Sequence, residues 1–270
     1  MSEGSVIRVA VVGAAGRMGS EVLRTVSQEP GVEIVAAIDR SMVGANCREF
    51  AGGRAPDLVV VDKLGAALDN VQADVLVDFS HASGVPQHAD SALRRGVSPV
   101  IGATGLGDTE LREIKLRCKE EGVPGIYVPN FAIGAVLMMR FAELAARWMP
   151  DCEIIELHHE KKEDAPSGTA MRTAEIISEA RTDGTSRKPR PAIKVEGARG
   201  GTYKDVNIHS IRLPGYVAHQ EVIFGRQGEV LSIRHDSMDR VSFMPGVAIA
   251  VKNVKGLDGF VVGLDKILFR

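Results

Sequence analysis

The chain has 270 residues, 44% of them hydrophobic, with 33 basic against 35 acidic side chains and a formal net charge of -2. This near-balance gives no electrostatic ground for binding nucleic acid or a membrane surface, and 4% aromatic content leaves little for base stacking. No apolar run approaches the ~20 residues of a membrane helix, and Met1 to Val6 is too short and polar for a secretory signal, so a cytoplasmic globular protein of one large or two smaller domains is expected.

Ile7 to Val12 is a short apolar run ending at Gly13, the pattern of a buried parallel strand. Arg17 to Gln28 reads as a helix with Met18, Val22 and Val26 on one face, and Val32 to Ile38 as a second strand. Strand-like runs recur at Leu58 to Val61, Val75 to Phe79, Val97 to Ile101 and Gly125 to Val128, with helices at Gln87 to Arg95 and Thr109 to Glu121. Such alternation predicts a parallel sheet covered on both faces.

After Pro129 the texture changes. A helix over Gly134 to Trp148 leads to a strand, Glu153 to His158, and a second helix from Ser167 to Arg181. Thr182 to Pro191, rich in Lys, Arg, Pro and Gly, reads as a surface loop. Val206 to Leu213, Ala218 to Phe224 and Val230 to His235 follow at separations too short for helical crossovers, which predicts antiparallel hairpins. A helix over Val241 to Val251 and a strand near Phe260 to Ile267 restore the α/β texture. The expected architecture is α/β: a Rossmann-type parallel-sheet dinucleotide-binding domain (1–129 and 241–270) plus an α+β substrate domain (130–240) with a mixed, largely antiparallel sheet. Cys47, Cys118 and Cys152 are odd in number and far apart, which fits idle thiols in a reducing compartment.

Gly13-Ala14-Ala15-Gly16-Arg17-Met18-Gly19 joins the first strand to the first helix. Glycine there lets main-chain amides approach a pyrophosphate at the helix N-terminus, although a tight strand–helix turn accounts for the spacing too. Asp39 closes the second strand, where an acid that binds a ribose hydroxyl belongs, and Arg40 beside it suits a 2′-phosphate. Both NADH and NADPH are therefore expected to be accepted. Gly102-Ala103-Thr104-Gly105 and Pro129-Asn130-Phe131 follow other strands, ending at Ile101 and Val128, where they would line a nicotinamide pocket or serve as plain turns; Asp78-Phe79-Ser80 is a weaker member of the set.

The densest polar stretch runs from His158 to Ala170 and carries a net charge of -1. Pro166 is tolerated at a helix start, and Ser167, Gly168 and Thr169 would then offer amides and hydroxyls to a carboxylate. Lys162 would add a cation or a proton, and His158 and His159 would orient substrate or donate a proton. Adjacent residues on a strand face opposite sides, so one histidine would serve structure alone. No third neutral ligand has metal spacing. Taken alone, the segment reads equally as a solvated strand–helix connection.

Three blocks give the chain a closer reading: VGAAGRMG at the N-terminus, PNFAIG at 129–134, and ELHHEKKEDAPSGTA at 156–170. They resemble the dihydrodipicolinate reductase family, the last block without a gap, and RLPGYVAHQEVIFG at 212–225 is similar to that family's second-domain hairpins. The resemblance implies reduction of a cyclic dicarboxylic hydroxy-imine with NADH or NADPH and loss of water, in diaminopimelate and lysine biosynthesis, by a homotetramer. It implies His158 as proton donor and acceptor and Lys162 as a second donor. His159, Ser167, Gly168 and Thr169 would hold the substrate carboxylate. Gly13, Ala14, Ala15, Gly16, Arg17, Met18, Asp39, Arg40, Gly102, Ala103, Thr104, Val128, Pro129, Asn130 and Phe131 would contact cofactor. Ala103 departs from the Thr of several members. Two rival readings are an aldehyde-forming dehydrogenase with a covalent thiol, which would need a cysteine in a catalytic loop, and a dinucleotide sensor without turnover.

Overall fold

Residues 6–181 and 192–270 are described by the computed structural model, so the loop expected at 182–191 lies outside the described residues. In chain order, β1 (Ile7–Val12) leads to α1 (Arg17–Thr25), β2 (Val32–Ile38), two short helices α2 (Cys47–Ala51) and α3 (Leu64–Asn70), and β3 (Val75–Asp78). Then follow α4 (Val85–Leu93), β4 (Ser98–Ile101), α5 (Asp108–Glu121) and β5 (Gly125–Tyr127). The next stretch carries α6 (Ile133–Ala146), β6 (Asp151–His158), α7 (Gly168–Ala180) and four strands, β7 (Gly201–Tyr203), β8 (Val206–Arg212), β9 (Ala218–Arg226) and β10 (Glu229–Ser237). The chain ends with α8 (Met244–Asn253), β11 (Phe260–Val262) and α9 (Asp265–Leu268). It divides into two compact units, one of residues 1–131 with 243–270, the other of residues 132–242.

The first unit is built on a six-stranded sheet in the order β11-β5-β4-β3-β1-β2, parallel throughout. Its central strands are buried on both faces, which is why they read as continuous apolar runs rather than alternating ones. Strand order reverses between β1 and β3, and at such a switch point the loops at the carboxyl ends of the strands diverge and leave a crevice.

Two expected strands are shorter than their apolar content suggests. Leu58 to Val61 makes only single bridges, Val59 with Asn46 and Val61 with Ile38. It lies beyond β2 at the edge of the sheet, and Val59 and Val61 stay exposed, so little burial rewards a longer ladder. The run from Phe260 keeps only three residues in β11; Gly263, at φ 99°, turns the chain and Asp265–Leu268 closes as α9.

The second unit has a five-stranded sheet in the order β10-β9-β6-β8-β7. β9 and β10 form the expected hairpin, but β8 and β9 do not pair: β6 lies between them, parallel to β8 and antiparallel to β9. A short connection fixes the relative direction of two strands without making them neighbours. The five residues 213–217 easily cross the ~10 Å of two strand spacings. α6 and α7 cover one face, where Met138, Ala142, Ile177, Ile154, Ile208 and Phe224 form the core.

Candidate functional site

In the first unit, the predicted cofactor positions fall in loops at the carboxyl ends of strands, except Arg17 and Met18, which open α1. Gly13 has φ 75°, a region open to glycine at little cost, and a Cβ there would lie 2.7 Å from the Phe79 carbonyl carbon. A Cβ on Gly19 would meet the Gly13 oxygen at 2.0 Å, so glycine lets α1 pack directly against the loop. α1 starts behind Gly16, which has no side chain to cap it, and its first-turn amides belong to Arg17, Met18 and Gly19. The Asp39 carboxylate closes over this loop: Oδ2 accepts from the Ala15 amide at 3.0 Å, while Oδ1 accepts from the amide and hydroxyl of Ser41. Arg40 points to solvent.

Phe79 links the remaining loops. Its ring lies where a Cβ on Gly102 would sit, and tilts against Phe131 with centroids 5.4 Å apart. Ala14, Ala103 and Val128 are buried in the core, so any ligand contact from them is made by main chain. Thr104, Pro129 and Arg17 are exposed. Beneath the β3 loop, Asp78 of the weaker strand-end set has a partner that the sequence does not display. Asp78, 1% exposed, accepts from the Ser80 amide at 2.8 Å and lies 2.9 Å from His88 Nδ1 on α4. His88 has no motif around it, and only the packing of α4 against β3 brings it there.

In the second unit the polar segment wraps the end of β6. Lys162 is paired with Asp164 at 2.6 Å, and this ammonium draws the Asp164 carboxyl below its ordinary range. The Lys162 amide donates to the His159 carbonyl at 3.1 Å, a tight turn that returns the chain toward the strand. α7 begins at Gly168, so Pro166 precedes the helix instead of opening it. The N-cap is Ser167, whose hydroxyl accepts from the Ala170 amide at 3.2 Å. Ser167 is thus committed to the helix start, while Gly168 and Thr169 occupy the first turn, Gly168 with open space where a Cβ would be. His159 Nδ1 is buried without a hydrogen-bond partner, a donor or acceptor awaiting use.

The buried centre of this end of β6 is Glu156, which the sequence displays only as the first residue of the motif. Its carboxylate is wholly buried and receives Arg212 of β8 as a two-pronged clamp, Nη1 to Oε2 at 2.8 Å and Nη2 to Oε1 at 2.7 Å. His158 Nδ1 shares Oε2, and the Ser167 amide reaches Oε1 at 3.3 Å. Burial by itself raises such a carboxyl, but hydrogen bonds from His158, Arg212 and Ser210 outweigh it and hold Glu156 at about 2. A signal was available: along β6 the core-facing phase reads Cys152, Ile154, Glu156, and an acid in that row needs partners. Cys152 itself is buried within β6 and accepts from Arg181, which gives the covalent-thiol reading no exposed nucleophile.

Residues 7–131 match the family model described as dihydrodipicolinate reductase, N-terminus, and residues 134–268 the one described as dihydrodipicolinate reductase, C-terminus. A 4-hydroxy-tetrahydrodipicolinate reductase of Halalkalibacterium halodurans is 45% identical over 262 residues, covering 97% of this chain and 99% of its own. One from Moorella thermoacetica is 46% identical over 263 residues, covering 97% and 98%. Among solved structures, the dipicolinate-bound dihydrodipicolinate reductase of Paenisporosarcina sp. TG-14 is 40% identical and superposes with a TM-score of 0.86 over 97% of this chain and 99% of that one. On two consecutive family matches and near-complete coverage by these relatives, the chain belongs to the dihydrodipicolinate reductase family.

Proposed function

We propose that the protein reduces 4-hydroxy-tetrahydrodipicolinate to tetrahydrodipicolinate with loss of water, the step its relatives are named for in diaminopimelate and lysine biosynthesis. The observation that carries this reading is the cluster at the end of β6, where His158 and the start of α7 meet the buried Glu156 carboxylate and the same segment carries Lys162, paired with the exposed Asp164. That cluster supplies a cation, a proton donor and helix-terminal amides, the set a small dicarboxylate needs.

The first unit fits a dinucleotide. Gly13 to Met18 would take the pyrophosphate on main-chain amides, since a left-handed glycine and an uncapped helix start leave room and donors there. Asp39, already oriented by the Ala15 amide, would accept the ribose hydroxyls of NADH, and Arg40 would hold the 2′-phosphate of NADPH. Gly102, Ala103, Thr104 and Val128 to Phe131 would line the nicotinamide end. A bound nicotinamide cofactor supplies the hydride. Asp78, fixed by His88 and Ser80, holds the β3 loop and its Phe79 ring in place.

Lys162 and His158 handle charge and protons. The ammonium of Lys162 is held by an exposed carboxylate, Asp164, and a substrate carboxylate would exchange with it as partner, keeping the charge paired throughout. His159 with its unpartnered Nδ1, Gly168 and Thr169 would complete the carboxylate site, and the Ser167 cap would fix its geometry. Loss of hydroxide needs a proton at the departing oxygen, and His158 or Lys162 can deliver it. We assign residues 1–129 with 241–270 to cofactor and 130–240 to substrate and assembly. We place the protein in the cytoplasm as a homotetramer; no helix among the described residues is long and apolar enough to cross a membrane.

The test is a coupled assay: pyruvate, aspartate semialdehyde, the condensing synthase and NADH, followed at the absorbance of NADH. Synthase-dependent oxidation is expected; its absence with both NADH and NADPH would sink the reading.

A further inference from the structure

A buried acid interrupts an otherwise apolar row. Cys152 and Ile154 face the helices and pack into the second unit's core, and Glu156, next in phase, has no exposed surface. His158 follows on the same face, and the cross-strand partners are Ser210 and Arg212 on β8, Gln220 and Ala218 on β9. An ionised carboxylate in such surroundings is costly unless every oxygen is engaged, and here both are.

We propose that Glu156, clamped by Arg212, is a positioning residue that fixes the tautomer and orientation of His158 and anchors the Lys162 loop to the strand. This rests on the reading of His158 as a proton donor and acceptor. A carboxylate without its own proton can only accept, so His158 Nδ1 must carry the hydrogen. Nε2 is then the nitrogen that exchanges protons with substrate. The clamp extends to the loop: Arg212 Nη2 also donates to the Asp164 carbonyl at 2.8 Å, and the Leu213 amide donates to the His158 carbonyl at 3.1 Å. One buried ion pair thereby sets the ring and the two ends of the segment carrying Lys162.

The charges around His158 are few. Its own strand contributes Glu156, β8 contributes Arg212, and the adjoining loop contributes the mutually paired Lys162 and Asp164. Ala218 opposite it on β9 and Ser167 to Thr169 at the start of α7 are uncharged. Glu156 is the carboxylate in contact with the ring, so its removal frees Nδ1 and lets both neutral tautomers form.

In the wild-type protein labelled with 15N-histidine, neutral His158 is expected to carry its proton on Nδ1; the Nε2–H tautomer would overturn the proposal. Glu156→Gln, whose amide can either accept or donate, is expected to admit the Nε2–H tautomer, lower kcat about a hundredfold and leave the substrate KM within about threefold. Glu156→Asp, which restores a group that can only accept, is expected to recover part of kcat and the Nδ1–H tautomer. Wild-type kcat and an unchanged tautomer in a folded Glu156→Gln protein would reject the positioning role. His158→Ala, measured alongside, separates the two ideas. Wild-type turnover there defeats the reading of His158 itself, whereas a slow His158→Ala beside a normal Glu156→Gln defeats only the role of Glu156. If Glu156→Gln does not fold, the tautomer decides.

Discussion

At the strand ends of the first unit the polar groups are mostly main chain, with glycine at the close approaches and one carboxylate tied to an amide. At the end of β6 in the second unit they are side chains, gathered round a buried ion pair. A backbone cradle tolerates changes of side chain but not an added Cβ. A side-chain cluster is the reverse: its backbone is ordinary strand and helix, and loss of one charged group leaves another without a partner. A dinucleotide would suit the first design because phosphates need only amides and a helix start, whereas proton transfer would require groups that titrate.

That contrast can be tested in five ways. The largest effect is expected from Lys162→Ala, with kcat falling by a factor on the order of 10²–10⁴ while NADH affinity, measured by calorimetry, stays at the wild-type value. Equal damage to cofactor binding would break the separation. Next, Arg212→Met strands the Glu156 carboxylate in the core and should cost about 3–5 kcal/mol in urea unfolding at neutral pH. A loss below about 1 kcal/mol, typical of exposed pairs, would show that the clamp is not a buried one.

Acid should expose the same pair. Glu156 is held at about 2 against an ordinary value of 4.5, so the folded state favours the ionised form. Its contribution, about 3 kcal/mol, is complete above pH ~4.5 and is lost as pH falls toward about 2. Urea titrations of wild type and Glu156→Gln at pH 7 and 3 should show the steeper decline in wild type; parallel declines would contradict it. Asp74 in the first unit is also drawn to about 2, chiefly by its hydrogen bond from Arg8, but it is partly exposed and should contribute less.

Smaller again is Gly19→Ala, whose Cβ forces the loop away from α1: about 1–3 kcal/mol of stability and roughly tenfold weaker NADH binding are expected, with affinity for pyridine-2,6-dicarboxylate retained. Unaltered NADH affinity would mean that the loop does not shape the cofactor site. The mildest effect concerns cofactor choice. The NADH/NADPH efficiency ratio should lie within roughly a hundredfold, about 2.7 kcal/mol, and Arg40→Ala should move it toward NADH. A much larger preference, or no movement, would remove Arg40 from the site.

Local pattern was enough to place the central strands, the glycine loop and most of the helices, because each depends on neighbours within a few positions, and the helices between the strands then imply parallel pairing. Buried strands read as apolar runs, and a phosphate loop reads as glycine spacing between strand and helix. The motif from Glu156 to Ala170 was legible as a block, with its roles supplied by resemblance. Tertiary structure alone decided three things. It inserted β6 between β8 and β9, since loop length constrains direction and not adjacency. It cut the runs at Leu58 and Phe260 short, where an exposed edge or a left-handed glycine offered no gain from longer strands. It also joined Glu156 to Arg212, 56 positions apart, and Asp78 to His88. Electrostatic pairing acts through space in a low-dielectric core, so a sequence displays the charges without displaying which of them meet.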